Sequence, residues 1–253
     1  GDIEIPSRHL GLVQAADFAA SGALEPMIDN AAELVAAHLD LGAIEAAFAG
    51  IAAPETGPAL IPPPGQRIAI ARDAALGFSY EHLMAGWRDA GAEIMNFSPL
   101  ADEAPPPNAD FIFLPGGYPE LHLPELSRAG NFLGGLRAAA ERGTRIYGEC
   151  GGYMVLGETI IDAEGASYPM AGLLALETSF ANLKLHLGYR RMNPLAQAWP
   201  GLKPVTGHEF HYTSATRAEG DSLFAVSDAA GRDLGTMGLV RGSVAGSYAH
   251  IIA

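Results

Sequence analysis

"TRIYGECGGYM" (residues 144–154) holds the single cysteine of a 253-residue chain. Apolar residues lead into Cys150, and Gly148, Gly151 and Gly152 crowd it. A cysteine that only fills a core needs no glycine neighbours. A nucleophile carried on a sharp turn does, because the turn residue takes strained backbone angles and small neighbours leave it room. The stretch therefore predicts a strand over "TRIYGE", a tight turn at Cys150 and a helix after it. The start of that helix is expected to favour thiolate over thiol. The N–H of Gly151 is expected to point at an oxyanion forming on an attacked carbonyl. The alternative is a buried, inert thiol.

Upstream, strand-like and helix-like segments alternate. "RIAIA" (67–71) has the length of a buried strand, and "FSYEHLMAGWRDAGA" (78–92) follows with helical spacing, Phe78, His82, Leu83 and Trp87 sharing a face. "EIMNFSPL" and "ADFIFLPGG" read as two further strands. "NFLGGLRAAAERG" reads as a helix closed by Gly143, and "GYMVLGETI" turns helical after the cysteine. This order implies a mostly parallel sheet flanked by helices, with ligands beyond the carboxyl ends of its strands. Two glycine-rich ends, "LPGGYPE" and "GECGGY", fall at that edge. Past residue 165, "MAGLLALETSF", "LHLGYRRMNP", "TGHEFHYTSA" and "GTMGLVRGSVAGSYAH" read as short strands of an antiparallel extension.

The first 65 residues read differently. "GDIEIPSRHLGLVQAAD" begins without methionine, like a strand entering from elsewhere. "MIDNAAELVAAHLDLGAIEAAFAG" has helical spacing, and "IAAPETGPALIPPPGQ" suits an extended linker. The division is expected near residue 65, and the first part is too short to bury its own core.

Composition excludes several classes. The balance of 15 Lys+Arg against 29 Asp+Glu gives a net charge of −14, with only Lys184 and Lys203 as lysines. Neither nucleic acid nor an anionic membrane surface is an expected partner. One cysteine excludes an internal disulfide and a cysteine-based zinc site, and no metal is expected. No apolar run reaches the length of a membrane span and no signal peptide opens the chain, so a soluble, cytoplasmic protein is expected. A cysteine acyl-transferase needs a base, and the chain offers eight histidines. His250 follows small residues in "AGSYAHII", which leave an opening beside it. "GHEFHY" puts His208, Phe210 and Tyr212 on one strand face, Glu209 and His211 on the other.

"FIFLPGGYPE", "YGECGGYMVLG", "GHEFHYT" and "GSYAH", in this order, resemble the triad class of glutamine amidotransferase domains, a flavodoxin-like fold, and within it the cobyrinic acid branch. "RHLGLVQA" with the helix after it resembles the stretch preceding that domain in cobyrinic and hydrogenobyrinic acid a,c-diamide synthases. The resemblance implies Cys150 as nucleophile and His250 as base, with Gly116 or Gly117 and Gly151 as the oxyanion hole. It implies glutamine as substrate, and residues 1–65 as the end of an ATP- and Mg²⁺-dependent synthetase domain plus linker. Residues 66–253 become the glutaminase domain, which itself needs no cofactor. The synthetase domain is then the partner that brings the corrinoid whose a and c carboxylates are amidated. No phosphate loop of the form G-x-x-x-x-G-K-[ST] occurs here, so this chain is expected to be the C-terminal part of a longer protein. A homodimer is left open.

Two departures qualify the resemblance. Members of the class commonly orient the histidine with a glutamate two residues later, where this chain has Ile252, and the chain reads "HIIA" and stops. Glu209 and His211 either lie at the site, Glu209 as the third member, or form a structural pair. Tyr118 and Glu120 either line the pocket or pack. Glu149 either holds the glutamine amine or caps the elbow. Lys184, Arg190 and Arg191 form the one dense basic spot, read as an ordinary solvated strand. The rival readings are the glutaminase domain of cobyric acid synthase and a non-catalytic module whose cysteine senses oxidation.

Overall fold

The computed structural model describes residues 18, 19, 21–48 and 61–253. The opening stretch to residue 17 and most of the expected linker lie outside the described residues. The chain divides into two compact units, Gly1–Gly57 and Pro58–Ala253. In the first, α1 (Leu24–His38) and α2 (Leu41–Phe48) replace the single helical run. The break falls at Leu39, which is extended, and the Asp40 carboxylate accepts the Ala43 N–H at 3.0 Å to start the second helix. Neither helix buries a residue, and Ile28, Val35, Leu41, Ile44 and Phe48 stay exposed.

The second unit opens with β1 (Arg67–Ala71), α3 (Glu81–Asp89), β2 (Glu93–Phe97) and β3 (Phe111–Leu114). A short 3₁₀ turn at Pro119–Leu121 leads to α4 (Leu123–Arg128), α5 (Gly130–Glu141), β4 (Arg145–Glu149) and α6 (Gly151–Leu156). Strands then dominate: β5 (Thr159–Ile161), β6 (Ser167–Pro169), β7 (Ala175–Ser179), β8 (His186–Pro194) and β9 (Val205–His211). The rest are β10 (Ser214–Glu219), β11 (Asp221–Ser227), β12 (Asp233–Arg241), β13 (Val244–Ser247) and β14 (Ala249–Ile251).

Ten of these strands form one sheet in the order β14-β9-β8-β11-β12-β13-β4-β3-β1-β2. The pairs β2–β1, β1–β3, β3–β4 and β4–β13 are parallel; the remaining pairs are antiparallel. The expectation of a mostly parallel sheet is therefore corrected: antiparallel pairing prevails. The reason lies in the connections. Parallel neighbours need a crossover, which α3, α4 and α5 supply for β1, β2, β3 and β4, whereas β11, β12 and β13 follow one another through short turns that permit only antiparallel pairing. The extension is also not one piece, because β10, β7, β5 and β6 form a second sheet of four strands.

Helices cover both faces of the parallel half, and strand alternation says which residues meet them. Ala69, Ile112, Leu114 and Ile146 join the core that holds Leu126, Phe132, Leu136 and Leu156 of α4, α5 and α6. Their neighbours Ile68, Ile70, Phe111, Phe113 and Tyr147 point the other way, onto Leu83, Met84 and Trp87 of α3. Trp199 locks this second core, its ring 5.6 Å from Trp87, 5.4 Å from Phe111 and 5.5 Å from Tyr147. Each such aromatic pair adds about 0.5–1.5 kcal/mol beyond its buried area. Gly91 and Gly143 end α3 and α5 with positive φ of 91° and 79°, as their positions in the sequence predict.

Two local readings are corrected. The helix expected from Phe78 begins only at Glu81, because the Phe78 N–H donates to the Gly116 carbonyl at 2.8 Å and pairs the two loops. The helix after Cys150 lasts six residues, and "ETI" turns into β5. No helix among the described residues is long and apolar enough to cross a membrane.

Candidate active site

The site gathers at the carboxyl ends of β3, β4 and β13. Cys150 sits between β4 and α6 with φ 46° and ψ −107°, a left-handed conformation that a non-glycine residue adopts only when its surroundings enforce it. The enforcement is visible. The Cys150 N–H donates to the Ser247 carbonyl at 2.9 Å, its carbonyl accepts the Met154 N–H at 3.1 Å, and the Gly152 N–H donates to Pro115 O at 3.1 Å. The glycines that mark the stretch are sterically required. A Cβ on Gly152 would lie 2.0 Å from the Leu114 carbonyl oxygen, and one on Gly151 would lie 2.8 Å from Pro119 Cδ and 3.0 Å from the Gly117 nitrogen. This last approach brings the backbone of the "PGG" loop against the start of α6, next in the chain to Cys150, an arrangement compatible with an oxyanion hole.

Cys150 is buried, and its Sγ lies 3.8 Å from the Phe210 carbonyl oxygen. Burial pushes its thiol up to about 12, aided by the carboxylate of Glu120, while the Gly151 N–H opposes the rise. The expectation that the helix start would hold a thiolate is thus corrected: six residues of α6 do not outweigh desolvation.

His250 lies on β14, 3% exposed. Its ring stacks on His208 (centroids 4.8 Å apart, planes within 10°), and the Tyr80 ring meets it edge-on at 6.2 Å. The Tyr80 hydroxyl and His208 Nε2 are hydrogen-bonded at 2.5 Å. Gly116 closes the Cε1 edge, because a Cβ there would sit 2.2 Å from that atom. Burial, with His208 and His211 adding to it, lowers the imidazole to about 3. Glu149 Oε2 lies 3.8 Å from His250 Nδ1, and Glu149 Oε1 accepts the Ile251 N–H at 3.0 Å. Burial raises the Glu149 carboxyl to about 8, the Ile251 N–H working against it.

The structure brings Cys150, Gly116, Gly117, Gly151 and His250 to one end of the sheet. It places Glu209 and His211 differently. Alternation along β9 turns both away from His208, whose ring is the one stacked on His250. Glu209 Oε1 bonds His211 Nε2 at 2.8 Å, and its Oε2 takes Arg190 Nη2 at 2.7 Å and Nε at 2.9 Å. Burial alone would raise the Glu209 carboxyl, but His211 and Arg190 together hold it below its ordinary value. His211 Nδ1 bonds the Thr213 carbonyl at 2.9 Å, so both ring nitrogens face acceptors and neither is left to take a proton from a thiol. His186, Glu209 and His211 do bring one ligand atom each within 4.8 Å, but Arg190 already occupies the carboxylate, which disfavours a cation there. Arg190, read as a solvated strand residue, is the partly buried clamp of this pair.

Tyr118 is buried behind the "PGG" loop, its ring 5.0 Å from Phe78. His82, on α3, bonds the Ile252 carbonyl at 2.9 Å. Reading the sequence passed over Tyr80 and His208. Their only signal was an aromatic at the start of the "YEHL" helix and a second histidine on the strand that pairs with "AHI".

A model of the CobB/CobQ-like glutamine amidotransferase domain matches residues 67–253. The hydrogenobyrinate a,c-diamide synthases of Rhizobium meliloti (strain 1021) and a Sinorhizobium species are 53% identical over 251 residues and 55% identical over 255. Each match covers 99% of this chain and 57% of the relative, so the chain spans a little over half the length of these curated relatives. The structure of PurLQS from Thermotoga maritima matches with a TM-score of 0.47 and 16% identity, over 73% of this chain and 86% of that one. With that domain model spanning most of its length, the chain belongs to the CobB/CobQ-like glutamine amidotransferase domain family.

Proposed function

We propose that residues 66–253 hydrolyse glutamine through a thioester on Cys150 and deliver ammonia to a synthetase part encoded in the same protein, for which residues 1–65 supply the end and the linker. The observation that carries this reading is the strained Cys150, whose crowded glycine turn abuts the loop that touches the His250 ring. His250 takes the thiol proton as the sulfur attacks the side-chain amide carbon. The tetrahedral oxyanion is met by the N–H groups of Gly117 and Gly151, with Gly116 shaping the loop. The C–N bond then breaks, and the proton on His250 leaves with the amine as ammonia. Water, deprotonated by His250, attacks the thioester, and glutamate departs with the thiol regenerated.

The relatives' name supports a,c-diamide synthesis on hydrogenobyrinic acid in cobalamin biosynthesis as the destination of the ammonia, ahead of the cobyric acid synthase reading. ATP and Mg²⁺ belong to the synthetase part. This chain has no phosphate loop and two lysines, does not fit ATP, and performs no step with it. The redox-sensor reading is disfavoured by the thiol itself, which is buried and protonated where a sensor needs an exposed thiolate. The test is Cys150→Ser in the full-length protein. Glutamine-driven amidation should vanish while amidation driven by added ammonia persists. Loss of neither, or of both together in a folded protein, would refute the assignment.

A further inference from the structure

We infer that Glu149, the residue immediately before the nucleophile, is the positioning carboxylate of His250 and fixes which ring nitrogen carries the proton. The inference rests on the proposed role of His250 as the base. Ile252 stands where the class commonly has this acid, so the function needs another source.

Four constraints surround the His250 ring. His208 covers one face, Tyr80 meets it edge-on, Gly116 closes Cε1, and Glu149 faces Nδ1. The first three fix the plane and position of the ring but not its tautomer, since none contacts a ring nitrogen as a hydrogen-bond partner. Glu149 is the group left to do so. Among the described residues, Glu149 Oε2 and His250 Nδ1 are both buried atoms with no hydrogen-bond partner, and they face each other across 3.8 Å. Leaving both orphaned costs stability in a protein that buries Glu149 to 1% exposure. A purely structural acceptor for the Ile251 N–H would not need the second oxygen. Such distances commonly shorten once substrate binds.

The anchoring of the first oxygen makes the inference sharp. Because Oε1 accepts the Ile251 N–H at 3.0 Å, the carboxylate cannot rotate away, and Oε2 is held toward the ring. Burial by itself favours the protonated acid, but ionised beside a proton-bearing Nδ1 it accepts that hydrogen bond, which leaves Nε2 as the lone pair available to the thiol. A neutral amide at this position would keep its oxygen on the Ile251 N–H and turn its NH₂ toward Nδ1. The ring would then be locked with its proton on Nε2, the wrong tautomer.

The experiment compares Glu149→Gln, Glu149→Ala and Glu149→Asp in the full-length protein, with His250→Ala and ammonia-driven amidation as references. Glu149→Gln should lower kcat for glutamine hydrolysis by about a thousandfold or more with KM little changed, the scale of a histidine held in the wrong tautomer. Glu149→Ala, which frees the ring without forcing that tautomer, should be the milder change, and Glu149→Asp milder still. A structural role gives the reverse order, since the isosteric amide preserves packing and alanine leaves a cavity. Nitrogen NMR of labelled histidine should show His250 protonated on Nδ1 in the native protein and on Nε2 in Glu149→Gln; it reads the tautomer directly in each variant that folds, whatever its activity. Glutamine milder than alanine, or an unchanged tautomer, overturns the inference. Should His250→Ala retain activity, the base assignment falls instead, whatever the Glu149 variants do.

Discussion

Replacing Gly116 with alanine strikes the site at the edge of the His250 ring. The new Cβ would lie 2.2 Å from His250 Cε1 and 3.2 Å from each ring nitrogen, whereas ordinary contact begins at 3.4 Å. Either the ring or the "PGG" loop must yield by about 1 Å. The ring has little room, with His208 stacked on it and Tyr80 at its edge. The loop is pinned by the Phe78 N–H on Gly116 O and by Gly117, where even a Cβ would sit 2.0 Å from the Ala75 carbonyl oxygen. Displacing a catalytic group by about 1 Å costs roughly a hundredfold in rate. Overpacking of this kind costs about 1–3 kcal/mol, within the stability of an ordinary domain, so the variant should fold. Glutamate release at saturating glutamine should therefore fall about a hundredfold with KM nearly constant, while ammonia-driven amidation is unaffected. Gly134→Ala is the control, since nothing lies within 4 Å of its Cβ on α5. A folded Gly116→Ala protein with kcat within about threefold of the native value would show that the ring beside Gly116 is not the one that moves protons.

Four further substitutions probe the surroundings. His250→Ala should cut glutamine hydrolysis by at least about a hundredfold, the scale of general acid–base loss, whereas His82→Ala, which frees the Ile252 carbonyl and removes a ring contact with Tyr80, should change it far less in the same assay. Arg190→Ala strands the largely buried Glu209 carboxylate and should cost about 3 kcal/mol in urea unfolding at neutral pH. Since the folded Glu209 pKa lies below its ordinary 4.5, that stabilisation is present above 4.5 and is lost as pH falls through the folded value, so native and variant should converge in acid. Glu149 has the opposite sign. Its folded pKa of about 8 against 4.5 when exposed makes the native fold lose stability as pH rises from 4.5 to 8, and Glu149→Gln should flatten that slope in unfolding titrations at the two ends of this range.

The parts of the molecule legible in the sequence are those encoded locally. The glycines around Cys150 are there because the turn admits no Cβ, so the chemistry is written in adjacent letters. The parallel half was likewise readable, since β1, β3 and β4 are each followed by helical segments before the next strand. Other features depend on which strand pairs with which. Glu209 was one candidate for the third member, and "GHEFHY" and "AHI" do pair, in the register His250 to His208. That same register puts Glu209 opposite Ala249 and on the other face. Glu149 was hidden for the converse reason: its approach to His250 follows from β13 pairing with β4 at Ser247 to Glu149, then turning so that β14 passes over the elbow. The second sheet escaped notice because β5 and β6 have three residues each, too few to establish a period.

The resting site is electrically quiet, and this bears on how it avoids wasteful chemistry. Burial holds the thiol at about 12 and the imidazole at about 3, so both are neutral over the whole physiological range. Moving the proton from sulfur to imidazole in the empty site would create two charges where water cannot solvate either, which is strongly unfavourable. An amide in place alters each side of that balance. In the reaction proposed above, bond formation passes the charge from sulfur to the carbonyl oxygen, to be met by the Gly117 and Gly151 N–H groups, and the imidazolium that forms favours ionisation of Glu149 across 3.8 Å. Proton transfer and attack must then proceed together, because neither intermediate charge is tolerable alone. If Cys150 acts as proposed, such a thiol should react with a bound amide and only slowly with oxidants and alkylating agents that require a free thiolate. The dryness that a reader of the sequence would take as the mark of an idle core cysteine is, on this reading, what confines Cys150 to one reaction.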